Sequence, residues 1–114
     1  MSDSHAFGLE AENQAVKFLV DLGYTMITRR FRVPRGEIDL VLLDGDLLVF
    51  AEVKARHGKN RPPEEALSKK KLEAMARAAH GYLAFIEEPR RAFRFDWIAI
   101  DDEGLRHYQD VFSS

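Results

Sequence analysis

Two apolar runs dominate the middle of the chain and predict a central β-hairpin. Residues 38–43 and 47–53 flank the dipeptide Asp44-Gly45, which suits a tight turn between antiparallel strands. Each run carries leucine, valine or isoleucine at both even and odd positions, whereas a half-exposed strand alternates apolar and polar residues. The pattern therefore places both strands inside a sheet that is covered on both faces.

Three charged residues interrupt this hairpin, and the alternation of side chains along a strand predicts that they share one face. If Asp44-Gly45 forms a two-residue loop, Asp39 lies opposite Phe50. Glu52 then lies diagonally from Asp39, at roughly 7–8 Å between backbones, and Lys54 follows Glu52 on the same face. A three-residue loop would put the two carboxylates on opposite faces, so their meeting depends on the register.

Two carboxylates that meet at one edge of a sheet suit a hard divalent cation. Mg²⁺ and Mn²⁺ take oxygen ligands and fill their other positions with water. The Lys54 ammonium, on the same face, would lower the pKa of an attacking water or stabilise negative charge that develops on a phosphate. An ordinary ion pair between charges at the strand ends is the alternative.

The segments around the hairpin predict a mixed α/β domain with helices on the faces of its sheet. Apolar residues recur at helical spacing in two segments, and β-branched and aromatic residues mark the remaining strands. The second helix connects the strand of Glu52 to that of Trp97, which should therefore be parallel neighbours with a right-handed crossover. Phe112 is expected to pack back on the core. The predicted order, α-β-β-β-α-β, comprises a helix over residues 5–22, a strand over 24–33, the hairpin, a helix over 63–86 and a strand over 92–100, then a short final strand near 105–108.

Two charged residues fall on the apolar sides of the predicted helices. Glu12 lies in the middle of the apolar side of the first helix, between Val16 and Ala15, whereas Glu10 belongs to the polar stripe. A buried carboxylate is costly unless it is paired or bound to metal, so Glu12 is a candidate ligand, with pairing to an arginine as the alternative. Lys71 lies at the centre of the second apolar arc and either reaches the site or extends its ammonium to solvent.

Composition narrows the class of protein. A chain of 114 residues is expected to form one domain, residues 1–114, with a modest core. No segment approaches the length of a membrane span, the N-terminus lacks the features of a signal peptide, and no cysteine is present. A cytoplasmic protein without disulfides is therefore expected. The net charge of −2 argues against binding nucleic acid through bulk charge.

Basic residues nevertheless cluster along the chain. They gather at residues 29–35, 54–61 and 69–71, whereas acidic residues gather mainly at the termini and in the hairpin. This segregation predicts a local phosphate-binding surface beside the proposed site, and solvated loop charge is the alternative. The candidate nucleic-acid-binding residues are Arg32, Arg35, Arg56, Lys59, Arg61 and Lys70.

The segments GEIDLV, at residues 36–41, and VFAEVKAR, at residues 49–56, resemble the YraN family of small bacterial proteins. The resemblance covers residues 8–112, and an Arg94-Phe95-Asp96 match adds an aspartate that we expect to anchor an arginine. That family belongs to the PD-(D/E)xK, restriction-endonuclease-like superfamily, whose relatives include archaeal Holliday-junction resolvases. The chain departs from the family by having Ala11 where a glycine precedes the helix glutamate.

The resemblance implies a restriction-endonuclease-like fold and a role for each charged candidate. Asp39 and Glu52 would hold Mg²⁺ or Mn²⁺ with the Val53 carbonyl as a further ligand, and Glu12 would contribute through water. Lys54 would assist the attacking water. Lys71 matches a helix lysine of the family and would reach the site or a phosphate.

Three functions stay open at this point. The first is a metal-dependent nuclease that hydrolyses phosphodiester bonds of DNA, in branched or single-strand-containing forms. The second is a catalytically silent module that binds nucleic acid or a protein partner. The third is an unrelated small α/β domain. Cutting a junction would need two active sites, which a homodimer provides.

Overall fold

Five strands in one mixed sheet and two helices make up the fold, and the predicted order of elements is confirmed. The computed structural model describes the backbone of residues 2–58 and 61–111, and the side chains of these ranges from Phe7 onward. The elements are α1 (Ser2–Asp21), β1 (Thr25–Val33), β2 (Gly36–Asp44), β3 (Leu47–Ala55), a 3-10 turn (Pro63–Ala66), α2 (Lys69–Phe85), β4 (Phe93–Asp101) and β5 (Gly104–Tyr108).

The strands lie side by side in chain order, from β1 at one edge of the sheet to β5 at the other. β3 and β4 are parallel, as predicted for strands that a helix connects, and the other neighbours are antiparallel. β2, β3 and β4 are therefore interior strands, and β2 and β3 carry the charged residues that the sequence singled out.

Each face of the sheet is covered by one helix, as the unbroken apolar runs predicted. Adjacent residues of β3 face opposite helices, which is why both parities of this strand are apolar. The residues packed under α2 include Ile38, Val41, Leu48, Phe50, Phe95, Trp97 and Ala99. The residues packed under α1 include Leu40, Leu42, Val49, Ala51, Ile98 and Ile100.

The hairpin turn differs from the predicted one by one position. Asp44 pairs with Leu47, so the two-residue loop is Gly45-Asp46 rather than Asp44-Gly45. Gly45 takes a left-handed φ of 63°, which is the requirement of a turn with glycine at its first central position. The prediction that Asp39 faces Phe50 is therefore wrong, because Phe50 pairs with Val41. The register shifts by two residues, and Asp39 and Glu52 meet just beyond the last pair of this ladder.

The predicted second helix is two elements. Pro63–Ala66 forms a 3-10 turn, Leu67 is extended, and α2 begins only at Lys69. Ser68 is the N-cap of α2, because its hydroxyl accepts a hydrogen bond from the Lys71 N–H at 3.1 Å. The cap fixes where the first turn of α2 begins, and that turn carries Lys71.

The apolar sides predicted for the helices are broader than the stripes that contact the sheet. Four residues assigned to those sides are exposed, because only the central positions of each helix meet the core. Leu22 also lies beyond the end of α1. The predicted packing of Phe112 lies outside the described residues. The exposed residues are Leu9, Val20, Leu22 and Phe85.

Gly36, the first residue of the GEIDLV segment, lies directly against α2. A Cβ atom at this position would come within 2.7 Å of the Ala74 carbonyl oxygen. Only glycine permits this close approach of two backbones. The contact holds the start of β2, and hence Asp39, at a fixed distance from the helix that carries Lys71.

Asp96 anchors an arginine, as the sequence predicted, and it does so at the centre of a buried network. Its fully buried carboxylate accepts hydrogen bonds from Arg94 Nε at 2.9 Å and from the Tyr24 hydroxyl at 3.3 Å, and it lies 2.8 Å from His107 Nε2. Burial raises the pKa of Asp96, but the hydrogen bonds from His107 and Arg94 outweigh it and hold that pKa below its ordinary value. The network ties β4 to β5 on the side of the sheet that α1 covers.

Candidate functional site

β2 and β3 separate where their charged residues lie. Their last ladder pair is Leu40 with Ala51, so Asp39 and Glu52 are the first residues beyond it. From here β2 continues beside β1 and β3 beside β4. Strands that part in this way leave backbone N–H groups without ladder partners, and these groups must find other acceptors.

The two carboxylates supply those acceptors. Glu52 Oε2 accepts a hydrogen bond from the Asp39 N–H at 2.7 Å, and Asp39 Oδ2 accepts one from the Val53 N–H at 2.8 Å. Each side chain therefore crosses the gap to the opposite strand. The structure brings Asp39 and Glu52 together, as the sequence predicted, at the point where the sheet opens.

Burial shifts the titration of both carboxylates. Loss of solvent first, and then the charge of the neighbouring Asp39, raise the pKa of Glu52 to about 8 against the opposing effect of Lys71. The pKa of Asp39 is also raised, by burial first and then by Glu12 and Glu37. A pair of this kind takes up a proton or a cation at neutral pH, which is a property shared by metal ligands and general acids.

Lys71 supplies one such cation. Its Nζ lies 2.6 Å from Glu52 Oε1, and it reaches the carboxylate from the first turn of α2. The Glu52 side chain is 4% exposed and that of Lys71 is 38% exposed. Lys71 therefore reaches the site rather than extending to solvent, so this alternative from the sequence is resolved.

Val53 and Lys54 follow Glu52 along β3 and line the cleft described below. In an antiparallel pair the N–H and C=O of one residue point to the same neighbouring strand. Because the Val53 N–H bonds Asp39, its carbonyl also faces the gap beside β2. Lys54 Nζ makes no hydrogen bond or ion pair with any residue in the described part of the chain, so its ammonium is available to a ligand.

Glu12 enters the site from α1 and is 7% exposed, as its place in the apolar pattern predicted. Arg29 Nη1 and Arg30 Nε each lie 3.5 Å from its Oε1. This oxygen is buried, yet no described residue donates a hydrogen bond to it. The arginine pairing weighed at the sequence level is therefore present, and it leaves acceptor capacity unused.

Arg30 has a backbone conformation that is uncommon for a strand residue. Its φ is 57°, in the left-handed region, which costs about 1–3 kcal/mol for a residue with a side chain. Neighbours on a regular strand point to opposite faces, but this kink lets Arg29 and Arg30 both reach Glu12. Such local strain is concentrated at functional sites in proteins.

An open cleft of about 470 Å³ lies between α1 and the separating strands, and one side of it is lined by Glu12, Asp39, Val53 and Lys54. Asp39, Glu12 and Lys54 contribute charges of both signs to it, and Arg30 and Arg32 stand on its wall. Glu52 lies behind this lining and contacts it through the Asp39 N–H. The arrangement places the carboxylates of Asp39 and Glu12 and the unpaired ammonium of Lys54 around one opening, which suits a cation together with an anionic ligand.

Comparison with known proteins finds relatives that share the segment carrying this site. The model of a family described as uncharacterised protein family UPF0102 matches residues 11–100, which include every charged residue of the cleft. The chain belongs to this family. Similar UPF0102 proteins occur in Herminiimonas arsenicoxydans, 43% identical over 94% of this chain and 86% of the relative, and in Chlorobaculum parvum, 41% identical over 90% and 84%. One from Thermodesulfovibrio yellowstonii is 34% identical over 92% and 94%.

In the described part of this UPF0102 chain, neither helix combines the length and apolar character that a membrane crossing needs.

The basic residues predicted to bind nucleic acid do not all border the cleft of this UPF0102 protein. Arg32 lines it and pairs with Glu37 at 2.6 Å. Arg61 instead lines a second cleft of about 330 Å³ beside Glu64 and Asp101. Arg56 is half-buried, Arg35 and Lys70 are exposed, and Lys59 lies outside the described residues. The charged residues that the structure adds to the cleft are Arg30 and Glu37.

The sequence carried a signal for Arg30, although that signal does not specify its geometry. Arg29 and Arg30 were visible as a basic pair, and an arginine partner was the alternative for Glu12. The left-handed conformation of Arg30 inside its strand decides which arginine meets Glu12. No local sequence motif predicts this conformation.

Proposed function

We propose that this UPF0102 protein is a metal-dependent nuclease that hydrolyses phosphodiester bonds of DNA. The observation that carries the proposal is the meeting of Asp39 and Glu52 where β2 and β3 separate, with Lys54 two residues beyond Glu52. The same order of residues on the same elements supports a place in the PD-(D/E)xK superfamily, which the YraN resemblance implies. The substrate class we favour is branched or single-strand-containing DNA in the cytoplasm.

The donor set fits Mg²⁺ or Mn²⁺. Mg²⁺ is commonly held by one or two carboxylates together with waters and substrate phosphates, rather than by a cage of protein ligands. Asp39, Glu52 and the Val53 carbonyl supply hard oxygens of this kind, and Glu12 contributes through water. Within the described residues, no group of three or more histidine, cysteine, aspartate or glutamate side chains could hold a metal ion, so a metal here would need waters and substrate oxygens to complete its coordination.

A divalent cation bound here would polarise the phosphate and lower the pKa of a bound water. The protein's own groups then act on the phosphodiester. Lys54 presents an unengaged ammonium to the cleft, where it stabilises negative charge that develops on the phosphate or the attacking water. Arg30 and Arg32 hold the nucleic-acid backbone on the cleft wall, since arginine matches the geometry of phosphate oxygens.

A second function, a catalytically silent binding module, is favoured by one observation. Both oxygens of Glu52 are engaged within the protein, one by the Asp39 N–H and the other by Lys71. A carboxylate satisfied in this way holds the fold together without a metal. The basic groups of the cleft would then bind nucleic acid, and no bond would be cut.

Metal binding separates a ligand pair from a structural pair. We expect Mn²⁺ to bind the wild type, and the double variant Asp39→Asn with Glu52→Gln to lose that binding, because too few hard ligands remain. Calorimetric titration gives the affinity, and circular dichroism shows that the variant is folded. Glu10→Gln, which neutralises an exposed carboxylate on the polar side of α1, is the matched control and should bind like the wild type.

Undiminished affinity in the double variant would show that Mn²⁺ binds elsewhere, and the proposed site would then be wrong.

A further inference from the structure

The ion pair between Lys71 and Glu52 occupies a position that a metal would need. Lys71 Nζ lies 2.6 Å from Glu52 Oε1, which is a close ion pair, just inside the usual separation of about 2.7–2.9 Å between an ammonium and a carboxylate oxygen. The lysine is held in place at its backbone, where its N–H donates to Ser68 Oγ at the start of α2. The contact is therefore built from a capped helix turn and is not a chance meeting of two surface side chains.

The oxygens of the two carboxylates can be accounted for one by one. Glu52 Oε2 accepts from the Asp39 N–H, Glu52 Oε1 faces Lys71, and Asp39 Oδ2 accepts from the Val53 N–H. Asp39 Oδ1 alone receives no hydrogen bond from the described residues. A metal that engages both carboxylates must therefore reach Glu52 through the oxygen that Lys71 holds, or disturb a backbone contact.

An ammonium and a divalent cation repel each other when both contact this oxygen. Mg²⁺ would sit about 2.0–2.1 Å from Oε1, and the ammonium lies 2.6 Å from the same atom. The two positive charges would then lie within a few ångströms of each other in a partly buried site, where repulsion is weakly screened. Occupancy by one cation therefore disfavours the other.

We propose that Lys71 is a displaceable internal cation, which holds Glu52 in position when no metal is bound and leaves it when a divalent cation binds. This inference rests on the metal-dependent function proposed above. Lys71 is a positioning residue in this scheme, because it acts on the site through Glu52. Its flexible four-carbon stem allows the ammonium to leave while the backbone stays capped.

Lys54 does not share this role. It belongs to the same strand as Glu52, yet no described residue accepts a hydrogen bond from its ammonium. The two lysines are therefore divided between two tasks. Lys71 balances the charge of the carboxylate from α2, and Lys54 faces the cleft from β3.

The reactivity of single lysines towards an amine-specific reagent tests the displacement directly. Lys70, exposed in the same helix turn, is the matched control. The ammonium of Lys71 contacts Glu52 and its side chain is 38% exposed, whereas that of Lys70 faces solvent. Without Mg²⁺, mass spectrometry should therefore show Lys71 reacting severalfold more slowly than Lys70.

Saturating Mg²⁺, with binding followed by calorimetry on the same sample, should raise the rate at Lys71 severalfold and leave Lys70 unchanged. Glu52→Gln should free Lys71 without any Mg²⁺. If Mg²⁺ binds and Lys71 stays protected, the displacement is wrong while the proposed function stands. If Glu52→Gln leaves Lys71 protected, the ion pair is not what protects it and the inference fails. If calorimetry detects no binding, the metal-dependent function fails and this inference fails with it.

Discussion

Lys54→Ala should lower the rate of metal-dependent DNA cleavage by about 100-fold or more while metal binding stays nearly intact. The reason lies in the placement of the ammonium. It lines the cleft beside Asp39 but has no partner among the described residues, so it contributes little to holding the carboxylates together. Its charge acts mainly when negative charge develops on the phosphate or the attacking water, and such an interaction changes the rate more than the affinity.

Three further measurements give this prediction its specificity. DNA affinity should fall only by what one lost phosphate contact costs. Lys17→Ala, which removes an exposed lysine that pairs with Asp21 on α1, should change the cleavage rate little. Lys54→Arg should not restore full activity, because a planar guanidinium does not replace a compact ammonium. Cleavage that survives Lys54→Ala undiminished would show that the proposed role of Lys54 is wrong.

Asp96→Asn should lower the free energy of unfolding by about 3–5 kcal/mol, the scale for breaking a buried ion pair by neutralising one partner. Asp96 has no exposed surface, and its carboxylate is shared by Arg94, His107 and the Asp110 N–H. An amide cannot accept at both of its terminal atoms, so the arginine would remain charged and partly buried without a full counter-charge. Chemical denaturation of both proteins near pH 7 measures the loss.

Asp44→Asn is the matched control for this variant. Asp44 pairs with the same arginine at 3.1 Å, but its side chain is 43% exposed, so its loss should cost about 1 kcal/mol or less. Equal losses for the two variants would contradict the view that Asp96 is the anchor.

The direction of the pKa shift fixes the pH range of this effect. The folded protein holds the pKa of Asp96 below its ordinary value of 3.8, so the folded state binds this proton more weakly than the unfolded chain. The stabilisation is therefore fully present above about pH 3.8 and is lost as pH falls through the folded pKa. The wild type and Asp96→Asn should differ most at neutral pH, and their stabilities should converge in acid.

The sequence was sufficient for the arrangement of elements because hydrophobic patterning reports burial directly. Apolar residues at both parities of β3 correctly placed it between two helices. The register was harder. Asp44-Gly45-Asp46 contains two glycine dipeptides that each suit a tight turn, and only the structure selects the one with glycine first. The predicted meeting of Asp39 and Glu52 was still right, because each side chain bonds a backbone N–H of the opposite strand.

Contacts between distant segments could not be read in the same way. The approach of Lys71 to Glu52 depends on the break before α2, where Ser68 begins the helix later than the apolar pattern suggests. The left-handed Arg30 depends on how β1 packs against α1. Burial of Glu12 was predictable from helical spacing, but the choice of arginine partners belongs to the tertiary structure.

A cleavage assay on a panel of DNA forms tests the central claim most directly. Linear, nicked, flapped and four-way DNA would be incubated with wild type and Glu52→Gln, with Mg²⁺ or with a chelator, while binding is measured on the same substrates. The account predicts metal-dependent cutting of at least one form by the wild type, and none by Glu52→Gln at comparable DNA binding. A wild type that binds some of these substrates and cuts none of them would contradict it.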